Sequence, residues 1–261
     1  MVDICLLGCG GGMPMPFRSL SSTILNFKGR KILIDCGEGT QVSMKIAGTG
    51  FKDIDLICIT HCHGDHIVGL PGLLATIGNS GRIQPLTIIG PSGITEVVNG
   101  LRVIAKYLPY EINIIENPKE VKFDINKEKL ELSKENGQLI LSCLEVEHSS
   151  PCLGYSFYFK RDRKFSLEKA EENNVPKVLW NKLQKGNNEK IIYDGKTYKK
   201  EMVLGEERRG IKLSLITDTR PLKDIITFIK DSDLFICEGM YGEDGKEAKA
   251  REKKHMTFYE A

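Results

Sequence analysis

Leu56-Ile57-Cys58-Ile59-Thr60 runs without a break into His61-Cys62-His63-Gly64-Asp65-His66. The first part is apolar and reads as a buried strand, so the polar groups that follow emerge at its C-terminal edge, where open α/β sheets place their sites. A lone histidine is ordinarily a surface or packing residue; four ligand-type side chains within one short run are not. On an extended segment His61 and His63 point to the same side because side chains alternate. Gly64 permits a sharp turn, after which Asp65 and His66 enter the same space from the start of a helix. Imidazole and carboxylate are ligands of zinc and other divalent transition metals, and this spacing offers two adjacent half-sites. The remaining histidines, His148 and His255, are distant in sequence and have to be brought in by folding.

The bulk properties fit a folded enzyme. A chain of 261 residues with 41% hydrophobic content can bury a sizeable core. A net charge of +2 does not mark a nucleic-acid binder by itself, although it leaves room for a local basic patch. The eight cysteines form no Cys-x-x-Cys pair, and Cys5, Cys58, Cys143 and Cys237 lie in apolar strand-like runs, so reduced, packed thiols are expected. Neither a signal peptide nor a membrane span is visible. A reducing cytoplasm is the compartment these features suggest.

Working outward from the motif, strands are expected at 2–7, 23–27, 31–36, 56–60, 86–90, 111–116, 121–132, 139–146, 153–159, 211–217 and 234–237. Helices are expected at 40–47, at 67–77 with an interruption at Pro71-Gly72, and at 95–107. Potential ligands or acids recur where apolar strands stop: Asp35, His61, His148, Asp218 and Glu238. Many strands with flanking helices and reactive groups on one edge point to two sheets packed face to face and covered by helices. From Arg161 to Arg209 the apolar periodicity fades and charge accumulates around the only tryptophan, Trp180. This stretch reads either as a solvated insertion whose acids nearly cancel its bases or as a projecting arm that grips a phosphate backbone.

The run 61–66 resembles the signature of the metallo-β-lactamase superfamily. Asp35-Cys36-Gly37-Glu38-Gly39-Thr40-Gln41 resembles the more specific segment of the ribonuclease Z family of tRNA 3′-processing endonucleases. Further matches run through the chain: Leu6-Leu7-Gly8-Cys9-Gly10, Gly69-Leu70-Pro71-Gly72-Leu73-Leu74, Gly90-Pro91-Ser92-Gly93, His148 ahead of Gly154-Tyr155, Asp218-Thr219-Arg220, Glu238 and His255-Met256-Thr257. The resemblance implies an α/β (α+β) fold, a four-layer αββα sandwich, with residues 1–261 as one metallo-β-lactamase-like domain and 161–209 as an inserted flexible arm gripping tRNA.

What the resemblance implies for the site can be placed by residue. His61, His63 and His148 match the ligands of a first Zn2+. Asp218 matches the bridging carboxylate, and Asp65 and His66 the ligands of a second Zn2+, giving two per subunit. Asp65 also matches the presumed proton acceptor, and Glu238 with His255 the pair that protonates the leaving group. The partners implied are precursor tRNA and, in a homodimer, a second copy of the chain; no membrane is implied. The chemistry suits such groups, because a metal lowers the pKa of a bound water from about 15.7 to roughly 7 and offsets charge on the reacting phosphorus. A histidine beside a carboxylate can deliver a proton near neutral pH. Asp35 reads equally as a group orienting a ligand imidazole and as a turn residue before Gly37.

Three departures from the family pattern carry expectations. The family's last metal-binding histidine, in a Thr-His segment beyond the position of His255, has no counterpart before Ala261. The expectation is therefore a fragment, ending within a helix and lacking a C-terminal strand and helix, that holds the second metal poorly. The loop Met13-Pro14-Met15-Pro16-Phe17-Arg18-Ser19 lacks the family's lysine and asparagine, which bears on discrimination against a mature CCA end. Gly239-Met240 follows Glu238 in place of Ala-Thr or Ser-Thr. Among alternatives, the dinucleotide fingerprint fails because Met13 stands where Gly8-Cys9-Gly10 would require a third glycine. A di-iron enzyme is disfavoured by His63, and a binding module by the retained ligands. A small-molecule metallo-hydrolase acting on a lactone, thioester or cyclic phosphodiester shares the metal site but needs no arm.

Overall fold

The computed structural model describes residues 1–126, 129–135, 137–186, 190–243 and 245–261. The strands in chain order are β1 (Val2–Gly8), β2 (Ser22–Phe27), β3 (Arg30–Ile34), β4 (Ile54–Cys58), β5 (Leu86–Gly90), β6 (Ile112–Glu116), β7 (Glu120–Ile125), β8 (Leu130–Leu132), β9 (Leu139–Val146), β10 (Cys152–Arg161), β11 (Lys190–Tyr193), β12 (Lys196–Lys199), β13 (Arg208–Ile216) and β14 (Leu234–Cys237). The helices are α1 (Thr40–Ala47), α2 (Gly64–Ile67), α3 (Leu70–Asn79), α4 (Ile94–Leu101), α5 (Leu167–Glu172), α6 (Lys177–Lys185), α7 (Lys223–Ile229) and α8 (Glu247–Lys253). One sheet has the order β1-β2-β3-β4-β5-β6, and a second has the order β14-β13-β10-β9-β7-β8. β1 to β3 form an antiparallel meander, and β3 to β6 run parallel.

Alternation within the strands sets the layers. Leu33, Ile57 and Ile88 turn toward one core with Leu70, Leu73 and Ile77 of α3 and Ile94 and Val98 of α4. Their neighbours Ile32, Ile34, Leu56, Cys58 and Ile89 face the opposite way and meet Phe123, Leu141, Tyr155, Phe157 and Leu213 of the second sheet. The far side of that second sheet gathers Ile216, Val146 and Phe235 with Ile225 and Phe228 of α7. The result is helix, sheet, sheet, helix, in agreement with the four-layer expectation. No helix among the described residues is long and apolar enough to cross a membrane.

The chain divides into two compact units, one of Met1–Phe159 with Ile211–Ala261 and the other of Lys160–Gly210. The second has a core of its own, in which Val175, Leu179 and Leu183 pack with Ala170, Tyr198 and Val203. Trp180 is part of that structure: its Nε1–H donates to Val175 O at 2.8 Å and its ring lies 5.1 Å from that of Phe165.

Four local expectations are corrected. Residues 121–132 form two strands rather than one, because the Asn126 side chain accepts from Lys129 N at 2.9 Å and closes a turn; residues 127 and 128 lie outside the described residues. Pro71 opens α3 instead of interrupting it, at a first-turn position where the missing N–H costs no helical bond. The helix expected to 107 is α4 followed by a 3-10 turn, Arg102–Ala105. The last residues are not helical: α8 stops at Lys253 and Lys254 turns left-handed at φ 55°. All eight cysteines are free, with Cys36, Cys58 and Cys152 buried.

A buried ionic knot ties the first sheet's β3 and β4 to β8. Asp55 accepts from Arg30 Nε and Nη2, both at 2.5 Å, from Arg82 Nη2 at 3.0 Å and from Leu130 N at 2.8 Å. Removing one member of such a set strands buried charge, which costs about 3–5 kcal/mol. Asp55→Ala is therefore expected to lower unfolding stability by that amount in urea titration, while Asp53→Ala, at the exposed end of the knot, costs about 1 kcal/mol or less.

Candidate metal centre

The site sits where strands from both sheets end. Asp35 follows β3, His61 lies just beyond β4, His148 follows β9, Asp218 follows β13 and Glu238 follows β14. After β4 the chain stays extended, held by Ile59 N donating to Ile89 O at 2.8 Å and by Leu153 N donating to Thr60 O at 2.9 Å. His63 is the residue before α2, and His66 N reaches back to His63 O at 3.0 Å, so the helix folds Asp65 and His66 toward His61. Close backbone approach locks this turn in place: a Cβ on Gly69 would lie 2.1 Å from Gly37 O.

The expected ligands converge. Ring centroids separate His61 from His63 by 4.6 Å, from His66 by 4.0 Å and from His148 by 4.8 Å. Asp218 Oδ2 lies 3.6 Å from His61 Nε2, 3.5 Å from His66 Nε2 and 3.9 Å from His148 Nε2, central to all three. Groupings compatible with a metal ion are His61–His63–His148, His61–His66–Asp218 and His148–Asp218–His255. Asp65 belongs to none of these among the described residues; its Oδ2 accepts from Gly12 N at 2.7 Å and stands 3.6 Å from His66 Nε2. His255 Nδ1 lies 3.3 Å from both carboxylate oxygens of Glu238, and its ring centroid is 5.1 Å from that of His148.

The surrounding bonds orient the rings. Asp35 holds a left-handed backbone at φ 59° and places its buried carboxylate 2.8 Å from His66 Nδ1. The same carboxylate accepts from Thr60 N at 2.8 Å and from the Thr60 hydroxyl, and that hydroxyl lies 3.1 Å from His61 Nδ1. Asp35 is thus both a turn residue and the partner of an imidazole, which directs His66 Nε2 to the cluster. His148 Nδ1 lies 3.1 Å from Lys254 O, which directs its Nε2 likewise. Thr60, Gly12 N and the Lys254 carbonyl carried no role in the sequence reading; backbone groups have no side-chain signature, and Thr60 read only as the end of a strand.

A divalent cation fits these residues. His61 Nε2 is buried without a hydrogen-bond partner, aimed at Asp218. Burial, reinforced by the neighbouring His66, holds the His61 pKa down at about 2, so its imidazole is neutral with a lone pair to give. Burial also lowers His148. His66 goes the other way: burial opposes its charge, yet Asp35 and Asp218 lift it to about 11. Asp218 is held below the ordinary carboxylate range: burial opposes this, but the hydrogen bond and charge of His66 together with the neighbouring His61 and His255 outweigh it. His255 is raised: burial opposes its charge, but the Glu238 hydrogen bond together with the charges of Asp218 and Glu238 outweighs it. Imidazole binds a cation only when neutral, so a metal would displace the proton of His66 and take its place beside Asp218.

Fold and site together define a metallo-β-lactamase-type protein. The chain is similar to the metallo-β-lactamase fold protein YhfI from Bacillus subtilis, with a TM-score of 0.64 at 16% identity over 100% of this chain and 79% of that one. It resembles human tRNase Z, short form, with a TM-score of 0.67 at 22% identity over 100% and 86% of the two chains. The family model described as anti-Pycsar protein Apyc1 matches residues 2–203, a span that stops short of Asp218, Glu238 and His255. Over its whole length the chain is 66% identical to ribonuclease Z of Clostridium beijerinckii, covering 82% of that protein, and 64% identical to ribonuclease Z of Clostridium tetani, covering 83%. The chain belongs to the ribonuclease Z family.

Proposed function

We propose that this protein is a metal-dependent endoribonuclease, zinc being the ion its donors best suit, that removes 3′ trailers from precursor tRNA. The observation that carries this reading is the convergence of His61, His63, His66, His148 and Asp218 beside the Glu238–His255 pair, in a chain so close to named ribonucleases Z. His61, His63 and His148 would hold one cation, Asp218 would contribute to both, and His66 with Asp65 would take part in holding a second. When bound, such ions supply an acidified water and offset charge on the phosphate. The chain's own groups do the rest. Asp65 accepts a proton at Oδ2, and His255, raised in pKa and held by Glu238, gives one to the departing 3′ oxygen. The cleft of about 410 Å3 that runs past His66 and Asp218 is lined also by Met13, Met15 and Arg18, so the 13–19 loop would flank an RNA end that entered it.

The unit Lys160–Gly210 is the proposed tRNA grip. Lys177, Lys182, Lys185, Lys190, Lys196 and Lys199 are exposed on it. Its fourteen Lys and Arg against nine Asp and Glu give it an excess of five positive charges in a chain whose total is +2. The excess of bases supports the second of the two readings of this stretch, the phosphate grip, over the solvated insertion with nearly cancelling charge. Such a surface favours a phosphate backbone. A homodimer would let one copy's arm serve the other's site, and a cytoplasmic location suits free thiols and a tRNA substrate.

The test is incubation of the zinc-loaded chain with a 3′-extended precursor tRNA, mapping the new end. A cut near the discriminator base supports the reading; no cut there, with rapid hydrolysis of a lactone or cyclic mononucleotide, sinks it in favour of a small-molecule hydrolase. Prolonged dialysis against a chelator is expected to abolish cleavage, and added Zn2+ to restore it.

A further inference from the structure

The Glu238–His255 pair depends on segments far apart in the chain: the end of β14, the turn after β9 and the stretch after α8. One tripeptide, Asp218-Thr219-Arg220, bonds to all of them. Thr219 N donates to Glu238 Oε1 at 2.6 Å, and Glu147 N donates to Thr219 Oγ1 at 3.1 Å. Arg220 N donates to Glu147 O at 3.0 Å. The Arg220 guanidinium donates through Nη1 to His255 O and to Glu260 Oε2, the latter at 3.0 Å, and through Nη2 to Glu260 Oε1. Glu260 is fixed in turn by Thr257 N at 3.0 Å and Thr257 Oγ1 at 3.2 Å. With Arg220 13% and Glu260 17% exposed, the fork-to-fork pair is largely shielded and sets both the position and the plane of the guanidinium.

Residues after Lys254 belong to no helix or strand of the sheets. The peptide joining His255 to Met256 is held from two sides: Met256 N donates to Glu238 Oε2 at 3.1 Å, and the His255 carbonyl accepts from this guanidinium.

We propose that Arg220 is a positioning residue for proton delivery: by holding the His255 carbonyl and Glu260, it keeps the His255 imidazole against Glu238 and beside His148 and Asp218. The inference rests on the reading of His255 as the group that protonates the leaving oxygen. In that step a water oxygen bonds to phosphorus and its proton passes to Asp65, the P–O3′ bond breaks, the departing oxygen takes the imidazolium proton, and proton exchange with solvent returns Asp65 and His255 to their starting forms. A p-nitrophenolate leaving group needs no such proton, and this separates positioning from general structural support.

The experiment compares full-length, zinc-loaded parent, R220A, R220K, H255A and R220A/H255A on a 3′-extended precursor tRNA and on bis(p-nitrophenyl) phosphate. R220A is expected to lose about 100-fold in kcat on the precursor, with KM, zinc content and hydrolysis of the nitrophenyl diester unchanged. R220K falls between parent and R220A, and the double variant is no slower than H255A. Equal losses on both substrates, or additive losses in the double variant, overturn the proposal. Should R220A fail to fold, E260Q, which keeps the bond to the His255 carbonyl, is expected to show a smaller loss confined to the precursor; a loss on both substrates alike again overturns it. A parent inactive on precursor RNA sinks the ribonuclease reading and this inference with it. An active parent with a non-selective R220A sinks the inference alone.

Discussion

His61→Ala is expected to remove one of the three proposed ligands of the first metal centre and to leave precursor cleavage at least about 1,000-fold below the parent. His61 groups with His63 and His148 on one side and lies against His66 and Asp218 on the other, so its loss also disturbs the neighbours of the second proposed centre. Its Nε2 is buried and unpartnered, so the substitution breaks only the Nδ1 contact with the Thr60 hydroxyl at 3.1 Å. The nearest comparison is Asp35→Asn, which leaves every proposed ligand in place but weakens the group that orients His66. Losses at such supporting partners run to roughly 10–100-fold in metal affinity or activity. Loss of a direct ligand should exceed that range. Elemental analysis after dialysis, with circular dichroism to verify folding, measures the outcome. A folded His61→Ala protein that bound as much zinc as the parent, and as tightly, would refute the assignment of His61 as a ligand.

Much of this centre was legible because its parts are local. The apolar run before His61 marks a strand with its exit, and the alternation of His61 and His63 survives in the structure as rings on one side of the cluster. Asp35, Asp218 and Glu238 stood out for a related reason: an acid directly after a buried strand has few roles other than turn or site. What the chain hid is non-local. The bond from Lys254 O to His148 spans 106 positions and uses a backbone carbonyl, a group every residue owns. The Arg220–Glu260 clamp joins two surface-type residues whose pairing depends on how the last turn packs. In the unit Lys160–Gly210, Val175, Leu179 and Leu183 do follow helical spacing, but the charge around them obscured a core that only Tyr198 and Val203, from a later hairpin and turn, complete. The β7–β8 turn was missed because Asp124-Ile125-Asn126 continues the strand-like alternation until one asparagine side chain caps it.

Replacing residues 160–210 by a short glycine-serine linker is expected to reduce kcat/KM on precursor tRNA by about 100-fold or more, while turnover of bis(p-nitrophenyl) phosphate stays within about threefold of the parent. The structure permits the operation. β10 and β13 are hydrogen-bonded neighbours in one sheet, so the chain leaves and re-enters on adjacent strands, about 4.8 Å apart, and a short linker can join them. None of the residues removed belongs to the cores between and outside the sheets, and none of the clustered histidines or acids is lost. The substrate-dependent effect follows from charge. A small diester is recognised at the cluster alone, whereas a folded RNA offers a phosphate backbone to the exposed lysines of this unit. Each phosphate neutralised by a lysine contributes about one unit to the slope of log affinity against log salt. The deletion should therefore flatten the salt dependence of KM for precursor tRNA as well as raise KM, and leave the salt dependence for the small diester as it was. Equal loss on the two substrates would make the unit a support for the fold; unchanged tRNA cleavage with an unchanged salt slope would show that the RNA is gripped elsewhere.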